Sequence, residues 1–120
     1  MDDLPIVDQT ALSRLQRLGG NKLVAQMIRL YLENAGERLR QIDAGLAPGG
    51  NPYEAEAGAH SLKSSAANVG AAQVSATATA METAAHRGEW ERLRELREPL
   101  AAALERAADR LDQISREMDG

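Results

Sequence analysis

The sequence predicts an all-α fold: an antiparallel up-down four-helix bundle with a short extra helix at its N-terminal side. Three observations carry this. Apolar residues recur at helical spacing in long stretches that cover most of the chain. No stretch alternates with the period of two that a half-buried strand requires. Aromatic residues make up only 2% of the chain and Phe is absent, so the core must come from Leu, Ala, Ile, Val and Met. Those residues favour helices over sheets. A length of 120 residues suits one domain, taken here as 1–120.

The elements follow in order. Asp8 is placed to cap a short helix over about 9–18 that carries Leu12, Leu15 and Leu18, and Gly19-Gly20 ends it. Asn21 is placed to cap a long helix over about 22–45. Its apolar stripe is Val24, Met27, Ile28, Tyr31, Leu32, Ala35, Leu39 and Ile42, with Arg29, Glu33, Glu37 and Arg40 opposite. Gly36 lies inside that helix and weakens it by about 1 kcal/mol relative to Ala. "LAPGG" breaks the chain, and Asn51-Pro52 combines an N-cap with proline at the first helical position. That helix runs to about Val69, where Gly70 ends it. The next, over about 71–86, packs through Val74, Thr77, Ala78, Met81 and Ala85 and ends on His86-Arg87 before Gly88. The last segment, 89–117, repeats Leu93, Leu96, Leu100, Leu104, Ala107, Leu111 and Ile114. Pro99 interrupts it, and the expectation is a single kinked helix.

Composition removes several function classes. Without cysteine there is no disulfide, no Cys-based zinc site and no thiol nucleophile. A net charge of −4, with Arg and Glu interspersed, argues against nucleic acid as the main partner. The N-terminus lacks the basic and apolar regions of a signal peptide, and no apolar run approaches a membrane span. The expectation is a cytoplasmic monomer with no membrane insertion.

The stretch "GAHSLKSSAANVGA", 58–71, is unusual for a helix centre. At about 100° per residue, Ala55, Ala59, Leu62, Ala66 and Val69 form one stripe, which must face the bundle. His60 falls about 140° from the centre of that stripe. Tyr53, Glu56, Ala57, Lys63, Ser64 and Ala67 share the outer side with it. Exposed helix positions normally take long polar residues, yet Ala57, Ser61, Ser64, Ser65 and Ala67 surround the imidazole. Short side chains leave the ring open to close approach by a macromolecule. A neutral imidazole is a nucleophile, and Lys63 at i+3 helps to keep it neutral. The same ammonium can stabilise anionic charge arriving there. Together these features point to a histidine that receives a phosphoryl group from a protein donor.

These residues resemble the histidine phosphotransfer (HPt) domain family. Its signature, His-x-Leu-Lys-Gly followed by a further Gly, is matched by His60, Leu62, Lys63 and Gly70. "LGGNKLVAQMIRLYLENAGERLRQI" (18–42) is similar to the family's second helix, and "METAAHRGEW" (81–90) to the end of the helix after the site. The resemblance extends over about 8–115. Ser64 stands where the family most often has Gly, Gly36 where it often has Pro, and Glu82 where some members place a Gln that orients the histidine.

The resemblance implies a phosphorelay role in bacterial-type two-component signalling. His60 would take a phosphoryl group on a ring nitrogen, Nε2, from the phospho-aspartate of a receiver domain and pass it to another receiver. Lys63 would stabilise the phosphoryl charge, with Ser64, Glu82 and Gly70 in support. Tyr53, Glu56, Ala57, Ser61 and Ala67 would dock the receiver. The expected partners are response-regulator receiver domains, including those of a hybrid sensor histidine kinase. Mg²⁺ would come with the receiver, and the chain would need no cofactor or metal of its own. It carries no P-loop and no kinase-type Gly-rich motif, so it is expected to be a phosphocarrier without kinase activity.

Three other readings stand beside this one. One is a non-phosphorylated helical interaction module with an incidental histidine. Another is the phosphorylated N-terminal domain of a chemotaxis-type kinase, which shares the His-x-x-Lys core. The third is a metal site at Glu56 and His60, for which two ligands are too few. His86 reads as a helix-end histidine, and Tyr31 and Trp90 as packing anchors.

Overall fold

The structure is a computed structural model that describes residues 3–119. It contains α1 (Gln9–Leu46), α2 (Pro52–Asn68), α3 (Ala72–His86), α4 (Trp90–Glu95) and α5 (Arg97–Asp119), with no strand among the described residues. The long leg of α1 packs on α2, α2 packs on α3, and α5 closes the bundle against α1 and α3. Short connections between successive long helices reverse the chain each time, which makes the bundle antiparallel.

α1 is two helical legs rather than one rod. Gly20 adopts φ 72, ψ −172 and breaks the helical path. The leg before it is the short extra helix, started by Asp8, whose Oδ1 accepts the Thr10 N–H at 2.9 Å. Leu12 is buried and Leu15 half-buried, but Leu18, in the last turn before the break, is 76% exposed. It therefore does not join the stripe expected for it. Asn21 was expected to cap the second leg. Its Oδ1 instead accepts a hydrogen bond from Gln16 Nε2 at 2.7 Å, tying the two legs across the break.

α2 starts as its sequence predicts. Asn51 Oδ1 accepts the Tyr53 N–H at 3.0 Å, and Pro52 occupies the first turn, where no N–H is needed. Ala55, Ala59, Leu62, Ala66 and Val69 are all fully buried. Small residues on α2 also let α1 come close. A Cβ on Gly58 would lie 2.9 Å from Ile42 Cγ1 and 3.2 Å from the Arg38 carbonyl.

The turn after α2 positions the N-terminal leg. Gly70 has φ 76, a conformation that L side chains rarely adopt. Its carbonyl accepts the Asp8 N–H at 2.7 Å. The leg thus seats on the end of the bundle where α2 turns into α3.

The last segment differs from expectation. It is not one kinked helix but two helices, α4 and α5, separated by Leu96. α4 ends on Glu95, four residues before Pro99. Proline has no N–H to offer that carbonyl, and its ring clashes with it. Leu96 itself stays near helical geometry (φ −78, ψ −12) in the dividing turn. Pro99 then sits in the first turn of α5, where it is tolerated. Leu93, Leu100 and Leu111 are fully buried, and Leu96, Ala103 and Ala107 nearly so. The expected stripe is retained through the break.

Candidate functional site

His60 lies mid-way along α2 on the face turned away from the core, with its side chain 64% exposed. Glu82 reaches it from α3. Glu82 Oε2 contacts His60 Nδ1, and Oε1 accepts a hydrogen bond from Lys63 Nζ at 2.7 Å. One carboxylate therefore bridges the imidazole and the ammonium.

The charge states follow from chemistry. The Lys63 hydrogen bond holds the Glu82 carboxyl below the usual carboxylate range, against the rise that partial burial causes. The bond to His60 lowers it further. Glu82 is thus an anion at neutral pH, and an ionised carboxylate only accepts hydrogen bonds. Nδ1 must carry the proton. In the neutral ring, the free lone pair is then on Nε2, which Glu82 leaves unengaged.

The neighbours keep that nitrogen accessible. Ala57, Ser64 and Ala67 are exposed, and Ser61 is half-buried. Tyr53, one further turn towards the start of α2, is 63% exposed. Its ring meets Trp90 of α4 edge-on, with centroids 5.9 Å apart and planes at 86°. That contact holds the aromatic pair at one border of the face.

Glu56 is half-buried, and its Oε2 lies 3.7 Å from His86 Nδ1. It faces a histidine on α3 rather than joining His60 in a two-ligand site. Among the described residues, no group of three or more His, Cys, Asp or Glu is placed to hold a metal ion. Gly70 is separated from His60 by ten residues, about 15 Å along a helix. It seats the N-terminal leg rather than touching the imidazole.

Two supporting residues escaped the sequence reading. Ser75 Oγ donates to the Lys63 carbonyl at 3.1 Å, fastening α3 to α2 beside the site. Trp90 steadies Tyr53, although it reads in the sequence only as a packing anchor. Serines are too common on helices for the first to be found without a structure. The pairing of α2 with α3 had a fainter signal: Glu56/His60 and Glu82/His86 repeat the same pair of residues at i, i+4.

A bundle that presents an exposed histidine with a fixed tautomer, beside a lysine and on a face of small residues, defines the class of histidine phosphotransfer domains. The chain belongs to the Hpt domain family, whose model matches residues 26–114. Its function is accordingly histidine phosphotransfer in phosphorelays. The structure is similar to that of histidine-containing phosphotransfer protein B (HptB) from Pseudomonas aeruginosa PAO1. The TM-score is 0.87 at 25% identity, covering 94% of this chain and 96% of the other. A rice protein described as a histidine-containing phosphotransfer protein shares the fold, with a TM-score of 0.77 at 20% identity over 96% of this chain and 85% of that one. No curated protein matches the sequence. Among the described residues, no helix is long and apolar enough to cross a membrane.

Proposed function

We propose that His60 is the residue that carries the phosphoryl group, and that Nε2 is the nitrogen that accepts it. The observation that carries this reading is the contact between Glu82 and Nδ1, which leaves the Nε2 lone pair free of Glu82 on a side chain that is 64% exposed. Phosphoryl transfer needs little covalent chemistry from the protein beyond in-line placement and charge stabilisation. Here α2 supplies the placement. Lys63, one turn from His60, supplies positive charge near the incoming oxygens.

The donor is the phospho-aspartate of a receiver domain, and the acceptor is the aspartate of another. Nε2 attacks phosphorus, the P–N bond forms, and the P–O bond to aspartate breaks with its electron pair left on the carboxylate. Mg²⁺ belongs to the receiver. The receiver lands on the outer face of α2, on Tyr53, Glu56, Ala57, Ser61 and Ala67, with Ser64 in support. The protein acts as a cytoplasmic monomer and does not phosphorylate itself from nucleotide. Incubation with labelled ATP is expected to leave it unlabelled, and a phosphorylated receiver to label it. Label from ATP alone, or none from any receiver, overturns the reading.

A further inference from the structure

The residue on Nδ1 of His60 is a glutamate. A neutral amide could orient the ring as well, because it too offers an oxygen to Nδ1–H. A carboxylate adds a negative charge, and hydrogen bonds to an ionised acceptor are roughly twice as strong as neutral ones. The charge matters most in the phosphorylated protein. When Nε2 of the neutral ring takes a phosphoryl group, the ring becomes a phosphoimidazolium with its proton still on Nδ1.

We propose that Glu82 keeps Nδ1 protonated through the whole transfer cycle, so that the loaded ring stays an imidazolium and releases its phosphoryl group as a neutral imidazole. The inference rests on His60 being the carrier. In the outgoing step the P–N bond breaks and its electron pair returns to Nε2. If Nδ1 has kept its proton, the leaving group is the neutral ring. If Nδ1 has lost it, the leaving group is an imidazolate, a far stronger base that departs slowly. Glu82 thus acts through the ring as a positioning residue and sets how readily the group leaves.

The surroundings support this assignment. Around His60 the ionisable groups are Lys63 on α2 and Glu82 on α3, with Glu56, one turn before His60, and His86, one turn after Glu82, paired with each other. The Lys63 ammonium is bonded to Glu82 Oε1 at 2.7 Å. Phosphorylation places an anionic group near Lys63 and a cation on the ring. The ammonium then has a second anion to serve, and the carboxylate has a cation of its own on Nδ1. The charges pair locally whether or not the group is bound.

Phosphoramidate, a small phosphoryl donor, serves as the probe to load the full chain without a receiver, and a phosphorylated receiver loads it where phosphoramidate does not. Titration of the loaded ring by phosphorus and nitrogen NMR reads the protonation midpoint directly. Glu82→Gln retains an acceptor for Nδ1–H and loses the charge. Its midpoint should fall by about one pH unit, a tenfold loss of proton affinity, and its phosphohistidine should hydrolyse several-fold more slowly at neutral pH. The shift should persist when Glu82→Gln is made in a Lys63→Met background, because it originates on the ring. Equal midpoints in wild type and Glu82→Gln, or a shift that vanishes in the Lys63→Met background, overturn the inference alone. A wild-type protein that takes no phosphoryl group on His60 overturns the functional reading and the inference with it.

Discussion

Lys63 and Glu82 are hydrogen-bonded at 2.7 Å across the seam between α2 and α3. The ammonium proposed to meet the phosphoryl group is thus held by the carboxylate that also contacts His60 Nδ1. Replacing Lys63 with Ala leaves Glu82 without its ammonium partner beside His60. Receiver-to-histidine transfer is expected to slow roughly tenfold or more, about 1.4 kcal/mol or more of transition-state stabilisation. The pair is partly exposed, so stability should change by less than about 1 kcal/mol. Rapid-quench transfer kinetics beside urea denaturation separate the two effects. An unchanged rate removes Lys63 from the mechanism.

Gly36 is exposed in the long leg of α1, and a Cβ there would meet only Arg40 Nη1 at 3.7 Å, an ordinary contact. Gly36→Ala is therefore expected to stabilise the protein by about 1 kcal/mol, from helix propensity and a less flexible unfolded chain. The urea midpoint should rise with its slope unchanged. A fall would mean that the helix needs a break at this position.

Gly70 behaves oppositely. Its φ of 76 disfavours any L side chain, and a Cβ would collide with the Asp8 carbonyl and lie 3.1 Å from Ala11 Cβ. Left-handed backbone costs about 1–2 kcal/mol for a non-glycine residue, and overpacking a further 1–3. Gly70→Ala should lose at least about 2 kcal/mol in urea denaturation. It should also raise hydrogen exchange at the Asp8 amide, whose bond to Gly70 it disturbs. Loss of less than about 0.5 kcal/mol would show that the N-terminal leg is not seated this way.

Arg97 donates to both Asp43 oxygens, Nε to Oδ1 and an Nη to Oδ2, each at 2.9 Å, joining the end of α1 to the start of α5. The Arg97 hydrogen bond holds the Asp43 carboxyl below its usual range, partly opposed by burial. A depressed folded pKa contributes stability that is complete above the unfolded value, about 3.9. The contribution is lost as pH falls through the folded value. Both side chains are about a third or more exposed, so the size is about 1 kcal/mol or less. Asp43→Asn should be less stable than wild type at pH 7 and nearly equal to it at pH 2. A difference that survives at pH 2 would show that packing, not charge, makes the link.

The stripe on α2 was legible because five inward positions carry only apolar residues and the helical period fixes their direction. The same arithmetic turned His60 outward. The caps at Asp8 and Asn51 were legible because their side chains act within two residues. What failed was tertiary or finely local. Helical spacing cannot say whether Pro99 bends a helix or divides it, since Leu96 keeps near-helical angles in the dividing turn. Leu18 fits the apolar pattern of its leg, but the break at Gly20 leaves it outside the core. Glu82 was nameable only through the resemblance. No local rule predicts that one carboxylate 22 residues from His60 and 19 from Lys63 would serve both.

His60 is proposed to carry the phosphoryl group. The most direct test is to mix a ³²P-labelled receiver with wild-type protein and with His60→Gln. The substitution is at a side chain 64% exposed, so the fold should be retained with stability within about 0.5 kcal/mol. Wild type is expected to take up label that is lost in acid and kept in base, as a phosphohistidine is, and His60→Gln to take up none. Folded His60→Gln that is labelled like wild type would show that another residue carries the group.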